Sequence, residues 1–498
     1  MEELTISELQ DRMSSGEWSA CDILEMYLER IDAIDKHGPC VNAVIERNPD
    51  AREIAEALDV GRRAGTMRGP LHGIPVMLKD NIDTADRMMT TAGSLALVGL
   101  AADRDSWVAE RLRLAGAVIL GKTNLSEWAN FRSTHSTSGW SSRGGQTRNP
   151  YALDRNPCGS SSGSAVAVAA NLCAAAIGTE TDGSIICPAH ANSIVGIKPT
   201  VGLVSRTGIV PIAHSQDTAG PMARTVADTA IVLGVLTGVD PSDSATEASR
   251  GRSYGDYTLF LDPQGLQGAR IGVARNFFGF DGRVDRVIES CVAVMKDAGA
   301  EIVDPASIDT VKDFEDTEFE VLLYEFKADL NRYLTARRPE APVQSLEEII
   351  AFNTLNRERA MPYFDQEIMH MAQAKGPLTD EAYLRALEAN QILSRVQGID
   401  KVLSEHRLDA IVAPSGGPAW LTDWIRGDHY AGGSSSLAAV AGYPSITVPA
   451  GYVFGLPIGI SFIGGAYQEP LLIRLAYAFE QATRVRRPPR FLLSVEAG

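Results

Sequence analysis

Serine and glycine residues cluster in two short stretches near the middle of the chain, residues 158–164 (C-G-S-S-S-G-S) and 179–184 (T-E-T-D-G-S). A serine hydroxyl can act as a nucleophile or pass on a proton when a base lies beside it. Clustered glycines allow positive φ angles and bring backbone N–H groups close to a ligand. Residues 164–177 between them are small and apolar, and their first part is predicted to form a buried helix. The two stretches are therefore expected to meet at one pocket.

One short motif in this region resembles a nucleophile elbow. Residues 159–163 read G-S-S-S-G, which matches the pattern G-x-S-x-G with Ser161 at its centre. That elbow requires a strand immediately before it and a helix immediately after it. Residues 149–157 are polar and contain two prolines, which argues against a central strand. A structural turn or an anion-binding loop is the simpler interpretation.

A lysine ends the apolar segment 73–79, G-I-P-V-M-L-K, which is predicted to contain a short strand. Most lysines in such a position extend their ammonium group into solvent. A buried lysine can instead lose its proton and serve as a base. From the residue types alone, both interpretations of Lys79 remain open.

The long segment 124–151 mixes aromatic and polar residues and is predicted to be irregular. Loops of this length inside compact proteins usually have a function. The segment is expected either to border a substrate cleft or to form a packed cover over the sheet. The candidate cleft residues are Trp128, Asn130, Phe131 and Trp140.

The composition is that of a globular protein with a large core, with 498 residues, 45% hydrophobic and 22% charged. A net charge of −17 argues against a nucleic-acid partner, because phosphate binding needs a basic surface. No apolar run reaches membrane-spanning length, and the acidic start of the chain does not resemble a signal peptide. We therefore expect a cytoplasmic protein without a membrane partner, either a monomer or a simple homo-oligomer.

The six cysteines show no C-x-x-C spacing, so neither a zinc site nor a redox motif is predicted. We expect free and mostly buried thiols, which would suit a reducing compartment. The cysteines are Cys21, Cys40, Cys158, Cys173, Cys187 and Cys291.

Predicted strands alternate with predicted helices along the chain, which indicates an α/β sheet covered by helices on both faces. No repeat and no clear linker divides the sequence, so a single large domain over residues 1–498 is predicted. Within it we distinguish N-terminal helices at 5–65, a catalytic core at about 66–240 and 405–484, and a helix-rich segment at about 280–405.

Three motifs carry a resemblance to a known enzyme family. They are G-I-P-V-M-L-K-D at 73–80, C-G-S-S-S-G-S at 158–164 and G-T-E-T-D-G-S-I-I-C-P-A at 178–189. In this order they resemble the amidase signature family, serine hydrolases with a Ser–cis-Ser–Lys triad. The resemblance implies that family's fold, a central mixed and twisted β-sheet with helices on both faces. Further matches are G-K-T-N-L-S-E-W-A, T-R-N-P-Y, Q-D-T-A-G-P-M-A-R-T-V-A-D, A-G-Y-P-S-I-T-V-P-A-G and L-P-I-G-I-S-F-I-G.

Within the family, the chain is most similar to bacterial peptide amidases, especially in S-E-W-A-N-F-R, G-W-S-S-R-G-G-Q-T-R-N-P-Y and L-L-Y-E-F-K-A. This similarity implies hydrolysis of the C-terminal amide of peptides to a carboxylate and ammonia. A general hydrolase of small amides, esters or carbamates remains an alternative, as does the amidase subunit of a tRNA-dependent amidotransferase. A hydrolase with a histidine base is also formally open, although His190 and His214 are expected to be local hydrogen-bonding residues.

The resemblance implies roles for individual residues. Ser184 corresponds to the nucleophile, Ser160 to the cis-serine and Lys79 to the terminal base, while Ser161 is expected to support Ser160. Ser160 and Ser184 lie twenty-four positions apart, the usual separation in the family. Neither a metal nor a cofactor is implied. The implied oxyanion hole consists of the backbone N–H groups of Thr181, Asp182, Gly183 and Ser184.

The sequence departs from the commoner family pattern around the nucleophile, G-T-D-T-G-G-S-I-R. Glu180 replaces an aspartate, Asp182 replaces a glycine and Ile186 replaces an arginine. Without that arginine, Glu180 needs another partner. The carboxylate of Asp182 would oppose a developing oxyanion unless it is turned away from the hole.

Overall fold

Eleven strands form one mixed β-sheet, and two short strands form a separate hairpin, in a computed structural model that describes residues 2–99, 101–336 and 341–495. The strands are β1 (Val44–Arg47), β2 (Pro75–Lys79), β3 (Val118–Thr123), β4 (Trp140–Ser141), β5 (Gly145–Gln146), β6 (Ala175–Glu180), β7 (Val195–Lys198), β8 (Thr218–Ala223), β9 (Arg270–Val273), β10 (Glu301–Val303), β11 (Ala410–Pro414), β12 (Ser445–Val453) and β13 (Leu456–Ile463).

The order of strands in the large sheet is β1-β3-β2-β6-β8-β7-β12-β13-β11-β9-β10. Strands β3, β2 and β6 run parallel to one another, and so do β11, β9 and β10. The remaining neighbours in the sheet pair antiparallel. The separate hairpin consists of β4 and β5.

Helices flank this sheet. They are α1 (Ile6–Ser15), α2 (Ala20–Ile34), α3 (Ala51–Arg63), α4 (Trp107–Leu114), α5 (Ser162–Ala169), α6 (Ile186–Ala191), α7 (Val226–Leu236), α8 (Gly282–Asp297), α9 (Glu315–Thr335), α10 (Leu346–Leu355), α11 (Arg357–Ala360), α12 (Glu367–Gln373), α13 (Glu381–Gln391), α14 (Asp400–His406), α15 (Ser435–Ala441) and α16 (Glu469–Thr483). A π-helical segment, Ile392–Ile399, joins α13 to α14. The α/β fold class with a large mixed sheet is confirmed, whereas the subdivision of the domain into segments stays a prediction.

Small residues in the centre allow the backbone segments to approach closely. Every residue of α5 is buried, as is every residue of β2 and β6. This confirms the predicted buried helix after the first Gly/Ser stretch. Because β2 and β6 are parallel neighbours, their carboxyl ends lie at the same edge of the sheet, where functional residues of such sheets collect.

The local sequence of strand β8 does not predict a strand. Its residues, T-A-G-P-M-A, lack β-branched alternation, and Pro221 cannot donate a hydrogen bond to a neighbouring strand. In the structure Pro221 nevertheless lies opposite Ile177 of β6, between two antiparallel partners. Burial of the whole strand compensates for the poor local preference.

The expectation of six free thiols is wrong. Cys158 and Cys187 form a disulfide with their Cα atoms 5.9 Å apart, although they are separated by 29 positions in the sequence. The fold brings the two Gly/Ser stretches together, and this places the two side chains within bonding distance. The inference of a reducing compartment from free cysteines loses its basis. The free cysteines among the described residues are Cys21, Cys40, Cys173 and Cys291.

No helix in the described part of the chain combines the length and the apolar character that crossing a membrane requires.

Candidate active site

The carboxyl ends of β2 and β6 bring Lys79 and Thr179 together. Lys79 is the last residue of β2, and its side chain is fully buried. Its Nζ atom lies 2.7 Å from Oγ of Ser160, 2.9 Å from Oγ1 of Thr179 and 3.2 Å from the carbonyl oxygen of Thr179. The structure therefore excludes the interpretation in which this lysine extends into solvent.

The buried environment changes the proton affinity of Lys79. Burial lowers the pKa of Lys79 to about 7, although the negative charges of Asp217 and Glu180 act in the opposite direction. A lysine with this pKa is uncharged in about half of the molecules at pH 7, since the two forms are equal when pH and pKa coincide. The uncharged amine can accept a proton from a neighbouring hydroxyl.

Ser160 lies on a tight loop immediately before α5. The peptide bond between Gly159 and Ser160 is cis. The carbonyl oxygen of Ser160 accepts a hydrogen bond of 3.1 Å from the N–H of Ser126. Gly159 has no room for a side chain, because a Cβ atom there would lie 2.2 Å from Oγ of Ser126. The loop is thus fixed against the segment that begins at Ser126.

Ser161 connects this loop to β6 and to the second Gly/Ser stretch. Its Oγ donates a hydrogen bond to the carbonyl of Thr179 (3.0 Å) and accepts one from the N–H of Thr179 (3.2 Å). The N–H of Ser161 donates to the carbonyl of Ser184 at 3.2 Å. These hydrogen bonds reach Thr179 and Ser184 rather than Ser160, so Ser161 supports its neighbour only through the backbone.

Ser184 lies on the loop between β6 and α6, with 7% of its surface exposed. Gly183 before it has a φ of +73°, in the region that favours glycine. Apart from pairing within the β-sheet, the backbone N–H groups of this loop donate no hydrogen bond to any of the described residues. These N–H groups belong to Thr181, Asp182, Gly183 and Ser184.

The two acidic departures in this loop have partners in the structure. Oε2 of Glu180 accepts the N–H groups of Ile185 (2.7 Å) and Ile186 (2.9 Å), which replace the missing arginine. Burial raises the pKa of Glu180, while the charge of Lys198 and these two hydrogen bonds act against the rise.

The side chain of Asp182 is hydrogen-bonded to a different element of the fold, the helix α15. Its two carboxylate oxygens accept hydrogen bonds from Oγ of Ser435 (2.7 Å) and Oγ of Ser436 (2.6 Å), at the start of α15. Burial raises the pKa of Asp182, and the two serine hydroxyls oppose that rise. The carboxylate is therefore tied to α15, and the backbone N–H group of Asp182 remains available.

Comparison with known proteins identifies the family. A model of the amidase family matches residues 22–473. The chain belongs to the amidase family. It is 43% identical to a probable amidase of Arabidopsis thaliana, over 99% of this chain and 92% of that protein. It is 33% identical to a glutamyl-tRNA(Gln) amidotransferase subunit of Carboxydothermus hydrogenoformans, over 97% of this chain and 98% of that protein.

The fold is shared with a solved peptide amidase over nearly the whole chain. The native peptide amidase of Stenotrophomonas maltophilia is 53% identical and has a TM-score of 0.94, covering 98% of this chain and 99% of that chain. Together with the family match, this similarity makes the present protein an amide-hydrolysing enzyme.

Residues 209–217 of the amidase, a segment that is apolar at its start and polar at its end, contact the loop around Thr181. Oδ1 of Asp217 accepts a hydrogen bond of 2.6 Å from Oγ1 of Thr181. The side-chain amide of Gln216 donates both to the carbonyl of Thr181 (3.2 Å) and to Oε1 of Glu318 (2.9 Å). Burial raises the pKa of Asp217 to about 6.

A cavity of about 440 Å³ opens beside Thr179 and Thr181. Its lining includes Asp217, Ala129 and the apolar residues 209–212. This volume lies within the range of about 300–1,000 Å³ that is usual for small-molecule sites.

Three of the four predicted cleft residues are buried in the structure, and the fourth, Asn130, is partly exposed. Trp128 and Phe131 are buried in a hydrophobic cluster with residues of α9, and the ring of Phe131 lies 5.1 Å from that of Phe326. Trp140 is buried as well, with its ring 5.1 Å from that of Phe364. Asn130 adopts a positive φ of +72° and is partly exposed. Of the segment 128–131, Ala129 is the residue that lines the cavity.

Among the described residues, neither His190 nor His214 forms a hydrogen bond with the side chains of the lysine and the two serines. His190 is fully buried, its Nδ1 has no partner among the described residues, and burial lowers its pKa to about 4. Nδ1 of His214 lies 2.7 Å from Oδ2 of Asp329, and its Nε2 lies 3.4 Å from Oε1 of Glu325.

His214, Glu325 and Asp329 also form the one group of potential metal ligands in the described residues, with ligand atoms within 4.8 Å of one another. Protein groups already engage these atoms, because Glu325 also accepts the N–H of Ser215 and the hydroxyl of Tyr383. Burial acts to lower the pKa of His214, but the two carboxylates outweigh it and the pKa is raised. The group is an ion-paired cluster.

Sequence reasoning missed several residues that complete the site. Thr179, Gln216 and Asp217 contact the lysine or the loop before Ser184, and none of them was singled out. Gln216 and Asp217 stand at the start of the motif Q-D-T-A-G-P-M-A-R-T-V-A-D, which matched the family. That match could have drawn attention to two polar residues just before a buried segment.

Proposed function

We propose that this enzyme is a serine amidohydrolase that removes the C-terminal amide of peptides and releases a carboxylate and ammonia. The observation that carries the proposal is the 2.7 Å contact between Nζ of the fully buried Lys79 and Oγ of Ser160. It occurs in an amidase chain that is 53% identical to a peptide amidase.

The proposed reaction begins with a proton relay. Uncharged Lys79 takes the proton of Ser160, and Ser160 takes the proton of Ser184. Ser184 Oγ then attacks the carbonyl carbon of the amide, and a tetrahedral intermediate forms. Burial of the amine supports this direction of transfer, because an uncharged lysine is a competent base at neutral pH.

The N–H groups of the loop 181–184 would stabilise the oxyanion of that intermediate. They have no other acceptor outside the sheet ladder in the described residues, and the carboxylate of Asp182 is held by Ser435 and Ser436. Preorganised donors of this kind are worth about 3–4 kcal/mol each in comparable hydrolases. The geometry of the loop therefore favours acyl transfer over a purely structural role.

The second half of the reaction returns the protons. The relay through Ser160 and Lys79 protonates the leaving nitrogen, which departs as ammonia and leaves an acyl group on Ser184. Water then attacks this acyl group, with its proton accepted by the same relay, and the carboxylate is released. The residues that carry out these steps need no metal ion.

A second candidate function is that of an amidotransferase component, since a glutamyl-tRNA(Gln) amidotransferase subunit is 33% identical over 97% of this chain. The greater similarity to the peptide amidase structure favours the first candidate. The net charge of −17 also argues against tRNA binding by this chain.

The deciding experiment measures ammonia release from a panel of peptide amides, free glutamine and small aliphatic amides. The proposal expects the highest kcat/KM with peptide amides. Release from glutamine alone would favour the amidotransferase component, and a preference for aliphatic amides would favour a general amidase. Parallel assays with Ser184→Ala, Ser160→Ala and Lys79→Ala are expected to show a loss of at least about a thousandfold in kcat.

A further inference from the structure

The serine relay of the proposed function, on which this inference rests, requires the hydroxyls of Ser160 and Ser184 to come within hydrogen-bond reach. The two residues belong to separate segments of the chain, the loop before α5 and the loop before α6. On one side, the hydrogen bond from the N–H of Ser161 to the carbonyl of Ser184 joins these segments. This hydrogen bond is 3.2 Å long and connects backbone atoms of the two loops.

The disulfide joins the same two segments at a second point. Cys158 precedes Ser160 by two positions, and Cys187 follows Ser184 by three. The N–H of Cys187 donates to the carbonyl of Gly183 at 2.7 Å, so residues 183–187 form a helical turn. Residues three apart on such a turn lie on the same side, which places Cys187 next to Ser184.

The surroundings of the disulfide hold the Cys158 side of the link in place. The backbone N–H of Cys158 donates to Oδ1 of Asn156 at 2.8 Å, and its carbonyl accepts a hydrogen bond of 2.6 Å from Oγ of Ser162. Both sulfur-bearing residues pack with Trp420 and Ala191 in a small apolar cluster. The cross-link is therefore part of an ordered structure and can transmit the position of one loop to the other.

We propose that the Cys158–Cys187 disulfide is a positioning element of the catalytic centre: it holds the Ser160 loop against the Ser184 loop, and its reduction lowers turnover. The disulfide touches neither the substrate nor the transferred proton. It acts by fixing the distance between the two hydroxyls of the relay. The other four cysteines among the described residues are free thiols and have no such role.

Reduction by a dithiol would proceed through two exchange steps. A reagent thiolate attacks one protein sulfur, the S–S bond breaks, and the other protein sulfur leaves as a thiolate. The second reagent thiol then displaces the first protein sulfur, which gives two protein thiols and one cyclic reagent disulfide. Two electrons and two protons pass to the protein. Cys158 is 4% exposed and Cys187 is 5% exposed, so reduction of the folded protein is expected to be slow.

The test compares the wild-type enzyme with a Cys158→Ser/Cys187→Ser variant on one peptide amide, at a temperature at which both proteins are folded by circular dichroism. We expect kcat to fall at least tenfold with KM changed by less than twofold, because substrate contacts remain and the relay geometry is lost. Wild-type enzyme reduced with dithiothreitol should show the same loss, and reoxidation with diamide should restore its activity. Alkylation under denaturing conditions checks the cross-link, with four modified cysteines before reduction and six after it.

A Cys21→Ser/Cys40→Ser variant is the matched control, since both residues are partly exposed free thiols. It should keep wild-type kcat and the same response to dithiothreitol and diamide. A Cys158→Ser/Cys187→Ser variant with wild-type kcat but a lower melting temperature would contradict the inference, because the disulfide would then stabilise the fold without positioning the relay. An oxidised wild-type enzyme that releases no ammonia from any amide would instead contradict the proposed function itself.

Discussion

Proton transfer from Ser160 requires Lys79 to be uncharged, and burial lowers the pKa of this amine to about 7. Below that pH the ammonium form predominates and cannot accept a proton. The kcat/KM of the wild-type enzyme is therefore expected to fall about tenfold for each pH unit below pH 7 and to level off above about pH 8. Ammonia release from one peptide amide, measured between pH 4 and pH 9, gives this profile.

The same profile distinguishes a lysine base from a histidine base. Burial lowers the pKa of His190 to about 4, so a reaction that used this residue as base would stay fast down to about pH 4. His190→Ala, with correct folding, should keep both the activity and the acid limb near pH 7. A profile that is flat between pH 5 and pH 8 would contradict the assignment of Lys79 as the base.

At the scale of elements, two serines at the start of α15 hold the carboxylate of Asp182, which belongs to the loop before Ser184. Ser435→Ala/Ser436→Ala removes both donors and leaves a buried carboxylate without its partners. We expect a loss of about 2–3 kcal/mol in the free energy of unfolding and at least a tenfold loss in kcat, because the charge can then turn toward the oxyanion hole. Urea unfolding and ammonia release measure the two effects.

A third substitution tests whether the expected loss of kcat comes from the charge of Asp182 or from the loss of the two serine hydroxyls. Asp182→Gly in the Ser435→Ala/Ser436→Ala background removes the carboxylate and restores the glycine of the commoner family pattern. Both stability and kcat should recover. Ser404→Ala is the control and should behave as wild type, because Ser404 is exposed and its hydroxyl donates to the carbonyl of Lys401 in its own helix. If Asp182→Gly fails to restore kcat, the carboxylate is not the cause of the loss.

Close packing of α5 against the neighbouring backbone gives a second prediction at this scale. A Cβ atom at Gly163 would lie 2.4 Å from the carbonyl oxygens of Ala43 and Asn124, which are backbone atoms and cannot rotate away. Gly163→Ala is expected to cost about 3 kcal/mol of the free energy of unfolding. Gly282→Ala, at the start of α8 with open space around it, is the matched control. Equal urea midpoints for the two variants would show that α5 can shift without cost.

Local sequence signals predicted part of the site well. The end of an apolar strand at Lys79, the Gly/Ser loops and the buried segment between them all appear in the structure. The partners of Asp182 could not be predicted, because Ser435 and Ser436 lie more than 250 positions away and are brought close only by the sheet. Strand β8 was missed because Pro221 contradicts local strand preference, and tertiary burial overrides that preference.

At the scale of the whole molecule, the chain after α16 returns across the surface and contacts the segment that leads into the Ser160 loop. The hydroxyl of Tyr151 donates to the carbonyl of Arg487 at 2.5 Å. The N–H of Phe491 donates to Pro150, and the N–H of Leu153 donates to Leu492. This C-terminal strap, residues 484–493, also reaches the start of the chain, where Arg486 forms an ion pair with Glu3.

A chain that ends after Thr483 lacks the strap and is expected to lose about 2–4 kcal/mol of the free energy of unfolding, because several backbone hydrogen bonds and one partly buried ion pair disappear. Its kcat should fall as well, since residues 150–153 lead within a few positions to Cys158 and Ser160. A chain that ends after Leu493 keeps these contacts and should match the full chain in urea midpoint and ammonia release. If both shortened chains unfold at the wild-type midpoint, the strap does not stabilise the core. If the shorter one is less stable yet keeps full kcat, residues 150–153 do not transmit the change to the catalytic loop.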